Sequence, residues 1–300
     1  MRFEKPPQTT AELVKKLQDR GLHIADVARA THFLENISYY RLGGYWYTLQ
    51  KDFKAHTFQP GATFEQVIEF YNFDRELRLL LFDAIERIEV GVRTRLIYHL
   101  SHAHDPWWFE DESLFKNYGQ FKGTLDEIYS DMGHTNEDFI GVHRNKYKTP
   151  RTPPAWKTLE VVSFGRLSKL YSNLKPSPAK QDIAKSMGLP NNVYLESWLT
   201  SVVVLRNYCA HHSRIFNRLF SFPPKTLKTS PRPWIRPSAV WQDNQKLYYQ
   251  MAYVLYMLDV VSPGNSFRQR WKVLLEKYPS ISPLMLGIPP YWKQEPLWQA

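Results

Sequence analysis

The chain has 300 residues, 43 % hydrophobic and 23 % charged, near the average for folded globular domains; it has enough apolar material to bury a core, which argues against a disordered chain. Lysine and arginine outnumber aspartate and glutamate 39 to 29, and a formal charge of +10 favours polyanionic partners, nucleic acid first. The single cysteine, Cys209, excludes an internal disulfide and a thiolate-based zinc site. No signal-type apolar run opens the chain and no stretch reaches the ~18 apolar residues of a membrane span, so a cytoplasmic protein with no membrane contact is expected.

In chain order, Thr9 and Glu12 form a capping box that opens a first helix, ended at Gly21. A second helix is expected from Ala25 to Ile37. The aromatic stretch Tyr39 to Tyr47 follows, where the adjacent Gly43 and Gly44 predict a turn or a close backbone approach. Thr63 and Gln66 form another capping box, opening a long helix to about His102 in which Val67, Tyr71, Leu81, Ile85, Ile88 and Val92 recur at helical spacing. Asp105-Pro106 stops it.

Residues 105 to 155 read as less regular. A helix from Trp156 to Leu174, broken near Gly165, precedes a Lys175 to Pro178 linker and short helical material to Met187. Asn191 or Asn192 then caps a strong helix to about Phe220. Pro223 to Pro237 is a proline-rich basic loop, Lys246 to Val261 a last long helix, and the proline-rich tail is expected to wrap the surface. No β-hairpin pattern stands out. The expected class is all-α: a helical bundle over residues 63–262, an N-terminal helical segment over 1–62 and a tail over 263–300 packed on the same unit.

The helix opened by Asn191 or Asn192 carries the chemistry. At about 100° per residue, Trp198, Val202, Leu205, Cys209, His212 and Phe216 share one apolar stripe. Asn207, His211, Arg214 and Arg218 lie opposite, and Arg206 sits on the flank. His212, within the stripe, reads as structural. His211 faces away beside polar and cationic side chains, and imidazole exchanges protons near neutral pH; the plain alternative is a solvated helix face.

Arg206-Asn207-Tyr208-Cys209-Ala210-His211 resembles the Arg-polar-x-x-x-His motif of HEPN ribonucleases, and its surroundings, through Ser213, Arg214, Phe216, Asn217 and Arg218, resemble the Abi-like family of bacterial abortive-infection (phage-defence) proteins. Three further blocks carry the same resemblance in order: Phe33 to Trp46, Phe73 to Arg78 with Ala84 to Glu89, and Pro154 to Trp156 with Phe164 to Ser168. Arg93 with His99 and Arg95 with His102 also fit a loose Arg-to-His spacing and read as coincidences.

The resemblance implies a HEPN-like bundle and a metal-independent endoribonuclease of toxin type, with no cofactor and no metal. In it His211 is the general base or acid, Arg206 stabilises charge on the phosphoryl oxygens, and Asn207 orients His211 or the phosphate. Arg214 and Arg218 hold flanking phosphates. Arg41, Tyr40 and Trp46 are candidates for touching single-stranded RNA, with packing of the aromatic block the favoured alternative. On an ideal helix Arg206 and His211 diverge by about 140°, so the resemblance implies a homodimer with a composite site, and an RNA partner, noncoding and antitoxin-like, that restrains it. The alternatives are a non-catalytic RNA-binding protein on a HEPN scaffold and a protein-interaction scaffold. His99, His102 and His104 beside Asp105 fit no strong metal template.

Overall fold

The structure is a computed structural model that describes residues 2, 4, 6–236 and 244–299. It is built from helices: α1 (Thr10–Asp19), α2 (Val27–Ile37), α3 (Tyr39–Trp46), α4 (Phe64–Ala103), α5 (Tyr118–His134), α6 (Asp138–Lys146), α7 (Ala155–Thr158), α8 (Phe164–Asn173), α9 (Pro178–Ser186), α10 (Asn192–Ala210), α11 (Leu247–Val261), α12 (Phe267–Lys277) and α13 (Pro296–Gln299). The all-α expectation holds.

Helix α4 is the spine. Its 40 residues, opened by the Thr63–Gln66 capping box, extend about 60 Å. It is contacted by α3, α8, α9, α10, α11 and α12. Leu77, Leu81, Ile85, Ile88, Val92 and Leu96 are buried completely along it. At Gly91 the neighbouring helix α11 comes so close that a Cβ would sit 2.5 Å from Val261 Cγ1. One buried cluster runs from Val14 in α1 to Trp298 in α13.

Several local expectations are corrected. The Gly43-Gly44 pair makes no turn: it lies within helix α3, whose Ser38 N-cap, at φ 74°, bonds the N–H of Arg41. The glycines serve a close approach instead, since a Cβ on Gly44 would sit 3.2 Å from the side chain of Arg214. A small antiparallel hairpin pairs β1 (Gln50–Asp52) with β2 (Thr57–Phe58); these strands are too short to display an alternating pattern. The stretch read as irregular holds α5 and α6, α5 being capped by Asn117. The break expected near Gly165 lies just before α8, at Val162 and Ser163. The tail does not merely wrap the surface: Trp271, Leu286 and Trp298 are buried in the common core.

Lys180 of α9 is fully buried. It pairs with Glu196 of α10 at 2.6 Å and donates to the Leu174 carbonyl at 2.7 Å. Burial pushes its ammonium pKa down to about 8, against the opposing pull of Glu196.

Candidate functional site

Helix α10 starts as expected, with Asn191 accepting the N–H groups of Val193 and Tyr194, and its first turns present Leu195, Trp198, Val202 and Leu205 to the core. It stops ten residues earlier than the sequence reading placed it, at Ala210. His211 is the C-cap and His212 adopts the left-handed conformation, φ 55°. The N–H of Ser213 bonds the Tyr208 carbonyl at 2.9 Å and that of His212 bonds Cys209 at 3.2 Å. This double closure is a Schellman cap, in which a glycine usually occupies the left-handed position. Here a histidine occupies it, which removes the glycine that would have announced the helix end. His212 therefore leaves the apolar stripe expected for it and is exposed.

The chain beyond the cap is held by Asp74 of α4, which is completely buried. One carboxylate oxygen accepts the N–H groups of Ile215 at 3.0 Å and Phe216 at 2.7 Å. The other accepts the Tyr45 hydroxyl at 2.6 Å and pairs with Arg78. Phe216 is thereby buried, as the apolar stripe predicted, but from a loop rather than from a helix. Arg41 of α3 closes the arrangement from outside by donating to the His212 carbonyl at 2.8 Å.

Arg206 lies against α4. Its Nε is 3.8 Å from Glu89, which also accepts from Arg93 at 3.0 Å, and its guanidinium lies 5.8 Å from the centre of the Phe82 ring. Asn207 and His211 are exposed. The motif thus presents Arg206 toward α4 and the other two side chains to solvent. Cys209 between them lies on the buried side; burial pushes its thiol up to about 12, so it stays protonated.

Beside the motif opens a cavity of about 620 Å³ between the end of α2, α3, α4 and the end of α10. Arg41, Arg75, Arg78 and His212 contribute its polar lining, and Tyr71, Leu79 and Phe82 its apolar walls.

The remaining candidates are dispersed. Arg214 donates to the Phe216 carbonyl at 2.8 Å, and Arg218 donates to the Arg214 carbonyl at 2.8 Å while covering the Tyr208 ring at 4.1 Å. Both lie in the loop after α10, not on its polar face. Tyr40 is 86 % exposed, whereas Trp46 is buried against Tyr39, so the aromatic block is divided between surface and core. Arg93 donates to the Val162 carbonyl and Arg95 to the Gly91 carbonyl, so the other Arg-to-His spacings have structural partners. Among the described residues no three His, Cys, Asp or Glu side chains gather as a metal site requires, and no helix is long and apolar enough to cross a membrane.

Sequence reasoning missed Asp74, Arg75, Arg78 and Glu89 as parts of this site. All lie within the α4 blocks quoted above, but Asp74 meets Ile215 and Phe216, and Glu89 meets Arg206, across more than a hundred residues, which helical periodicity does not reveal.

The family model described as Abi-like protein matches residues 32–217, well over half of the chain. The chain belongs to the Abi-like family. The matched span contains three of the four blocks whole and the fourth as far as Asn217, beyond the Abi-like motif's Schellman cap, and it includes Tyr45, Arg78, Ile215 and Phe216, the hydrogen-bond partners of Asp74 described above. Only Arg218 among the candidate site residues falls outside it. No curated protein and no solved structure matches the chain.

Proposed function

We propose that this Abi-like protein is a metal-independent endoribonuclease of the HEPN type, acting in abortive infection. The observation that carries the reading is the end of α10: exposed Asn207 and His211, with Arg206 on the adjoining flank, set beside an arginine-lined cavity in a protein of net charge +10.

In this reaction the RNA supplies its own nucleophile. His211 takes the proton from a 2′-hydroxyl as its oxygen attacks the neighbouring phosphorus, and the bond to the 5′-oxygen breaks. The departing oxygen takes up a proton, from a second imidazole or from water. The products are a 2′,3′-cyclic phosphate and a 5′-hydroxyl. Arg206 stabilises the charge that builds on the non-bridging oxygens, and Asn207, one helical turn before His211, orients the imidazole or the phosphate. Arg41, Arg214 and Arg218 lie near enough to the turn to hold flanking phosphates, and exposed Tyr40 is free to stack on a base.

Arg206 and His211 project in different directions from α10, and a second copy of the chain resolves this by placing its Arg206 opposite His211. Exposed apolar side chains farther along α4, Val90 and Tyr98, support that part of α4 as the dimer face. A noncoding RNA on the basic surface restrains the enzyme in the uninfected cell.

Mixing two inactive variants tests the composite site. Arg206→Ala and His211→Ala are each expected to cleave no RNA, and their mixture to recover activity, since each mixed dimer holds one intact site. A mixture as inactive as its components, or a fully active monomer, overturns the dimeric site.

A further inference from the structure

The cavity beside the motif is lined by Arg41, which also serves the helix cap, by Arg78, which serves the buried Asp74 network, and by Arg75, which serves neither. Its volume of about 620 Å³ lies within the ~300–1,000 Å³ typical of small-ligand sites. Of its three arginines only Arg78 forms a salt bridge among the described residues, with Asp74. Asp74 itself has no capacity left, because its oxygens also accept from Tyr45, Ile215 and Phe216. Glu76, the carboxylate next to Arg75, is taken by Lys277 and by the Tyr278 hydroxyl, both at 2.7 Å. Arg41 donates one N–H to the His212 carbonyl and, like Arg75, makes no salt bridge among the described residues. The cavity therefore keeps a positive charge, which the attraction of Glu76 for Arg75 offsets only in part.

Its other walls are flat and apolar. Tyr71 stands edge-on to Tyr45 with ring centres 5.5 Å apart, and the Phe82 ring lies partly exposed under Arg206. Guanidinium groups favour phosphate, through paired N–H donors, and aromatic faces favour a base, through stacking. His212 forms part of the rim in a left-handed conformation that a histidine adopts only at a cost, which fits a side chain kept there for contact rather than for folding.

We infer that this cavity is a nucleotide subsite, taking one phosphate on Arg41 and Arg75 and one base against Tyr71 and Phe82. A wall formed by Cys209 and Ala210 of the motif itself places that nucleotide next to the bond to be cut; this last placement, unlike the binding, rests on the ribonuclease reading. The same chemistry is offered by a free mononucleotide and by one residue of an RNA chain.

The test uses the full-length protein with two probes, adenosine 5′-monophosphate and a fluorescent single-stranded RNA octamer. The variants are Arg75→Gln, at an exposed position where folding is not at stake, and Lys54→Gln, an equal loss of charge on the distant hairpin turn. Octamer affinity is expected to fall roughly tenfold in Arg75→Gln and less than twofold in Lys54→Gln. Competition by the mononucleotide, itself weakened in Arg75→Gln, identifies a site open to free nucleotides. An Arg75 effect on the octamer without such competition identifies a residue of the chain as the occupant. Equal, small losses in both variants for both probes overturn the subsite. The Arg75 effect in a protein that cuts no RNA leaves the subsite standing and removes the nuclease; cleavage without the Arg75 effect does the reverse.

Discussion

The carboxylate of Asp74 accepts the backbone N–H of Phe216 at 2.7 Å, joining the first third of the spine helix to the loop that leaves the Arg206–His211 motif. The same group binds Ile215, Tyr45 and Arg78, so one buried acid fixes α3, α4 and the turn carrying His211. Replacing it with asparagine keeps the shape and removes the charge. Asp74→Asn leaves Arg78 buried without its partner, which is expected to cost about 3–5 kcal/mol. Denaturant unfolding measures it, and a loss below about 1 kcal/mol would mean that the network does not hold the loop.

His212 separates strain from function. Glycine adopts its left-handed backbone freely, so His212→Gly is expected to raise stability by about 1 kcal/mol and the melting temperature by about 2 °C. RNA affinity is expected to fall at the same time. A variant that melts lower than the wild type would refute the strain.

Glu89 is a positioning residue for Arg206, which it faces at 3.8 Å while also bonding Arg93. Glu89→Gln is expected to lower kcat about tenfold, equivalent to about 1.4 kcal/mol in the barrier, with little change in KM. A change confined to KM would mean that Glu89 governs binding and not the geometry of the reaction.

Lys180 gives the fold a pH dependence whose sign follows from burial. Its ammonium loses its proton near 8 in the folded chain and near 10.5 in the unfolded one. Between those values the unfolded chain holds more protons, so the Lys180 contribution to stability rises with pH across this window and is flat below it. The difference between wild-type and Lys180→Met melting temperatures, measured from pH 7 to 10, is expected to move in favour of the wild type. A constant difference would show that Lys180 does not change its proton affinity on folding.

The helices were legible where capping and periodicity agree, as at Thr9, Thr63 and Asn191. The buried stripe of α10 was legible for the same reason, and it placed Trp198, Val202, Leu205 and Cys209 correctly in the core. The end of α10 was not legible, because the position where glycine would mark it is His212. Extending the helical angle past that point put Arg214 and Arg218 on a helix face that does not exist. Asp74 was legible only as part of a family block. Its role depends on a loop 141 residues away, and no local pattern encodes that contact.

In the proposed reaction His211 moves the proton in a metal-free cleavage of RNA. The direct measurement is cleavage of single-stranded RNA in EDTA by protein freed of copurifying RNA, wild type against His211→Ala, with product ends identified and RNA affinity measured in parallel. The wild type is expected to leave 5′-hydroxyl and 2′,3′-cyclic phosphate ends, and the variant to lose at least about 100-fold in rate with binding retained. Cleavage by His211→Ala at the wild-type rate, or cleavage that appears only when a divalent metal is added, would contradict the proposed reaction.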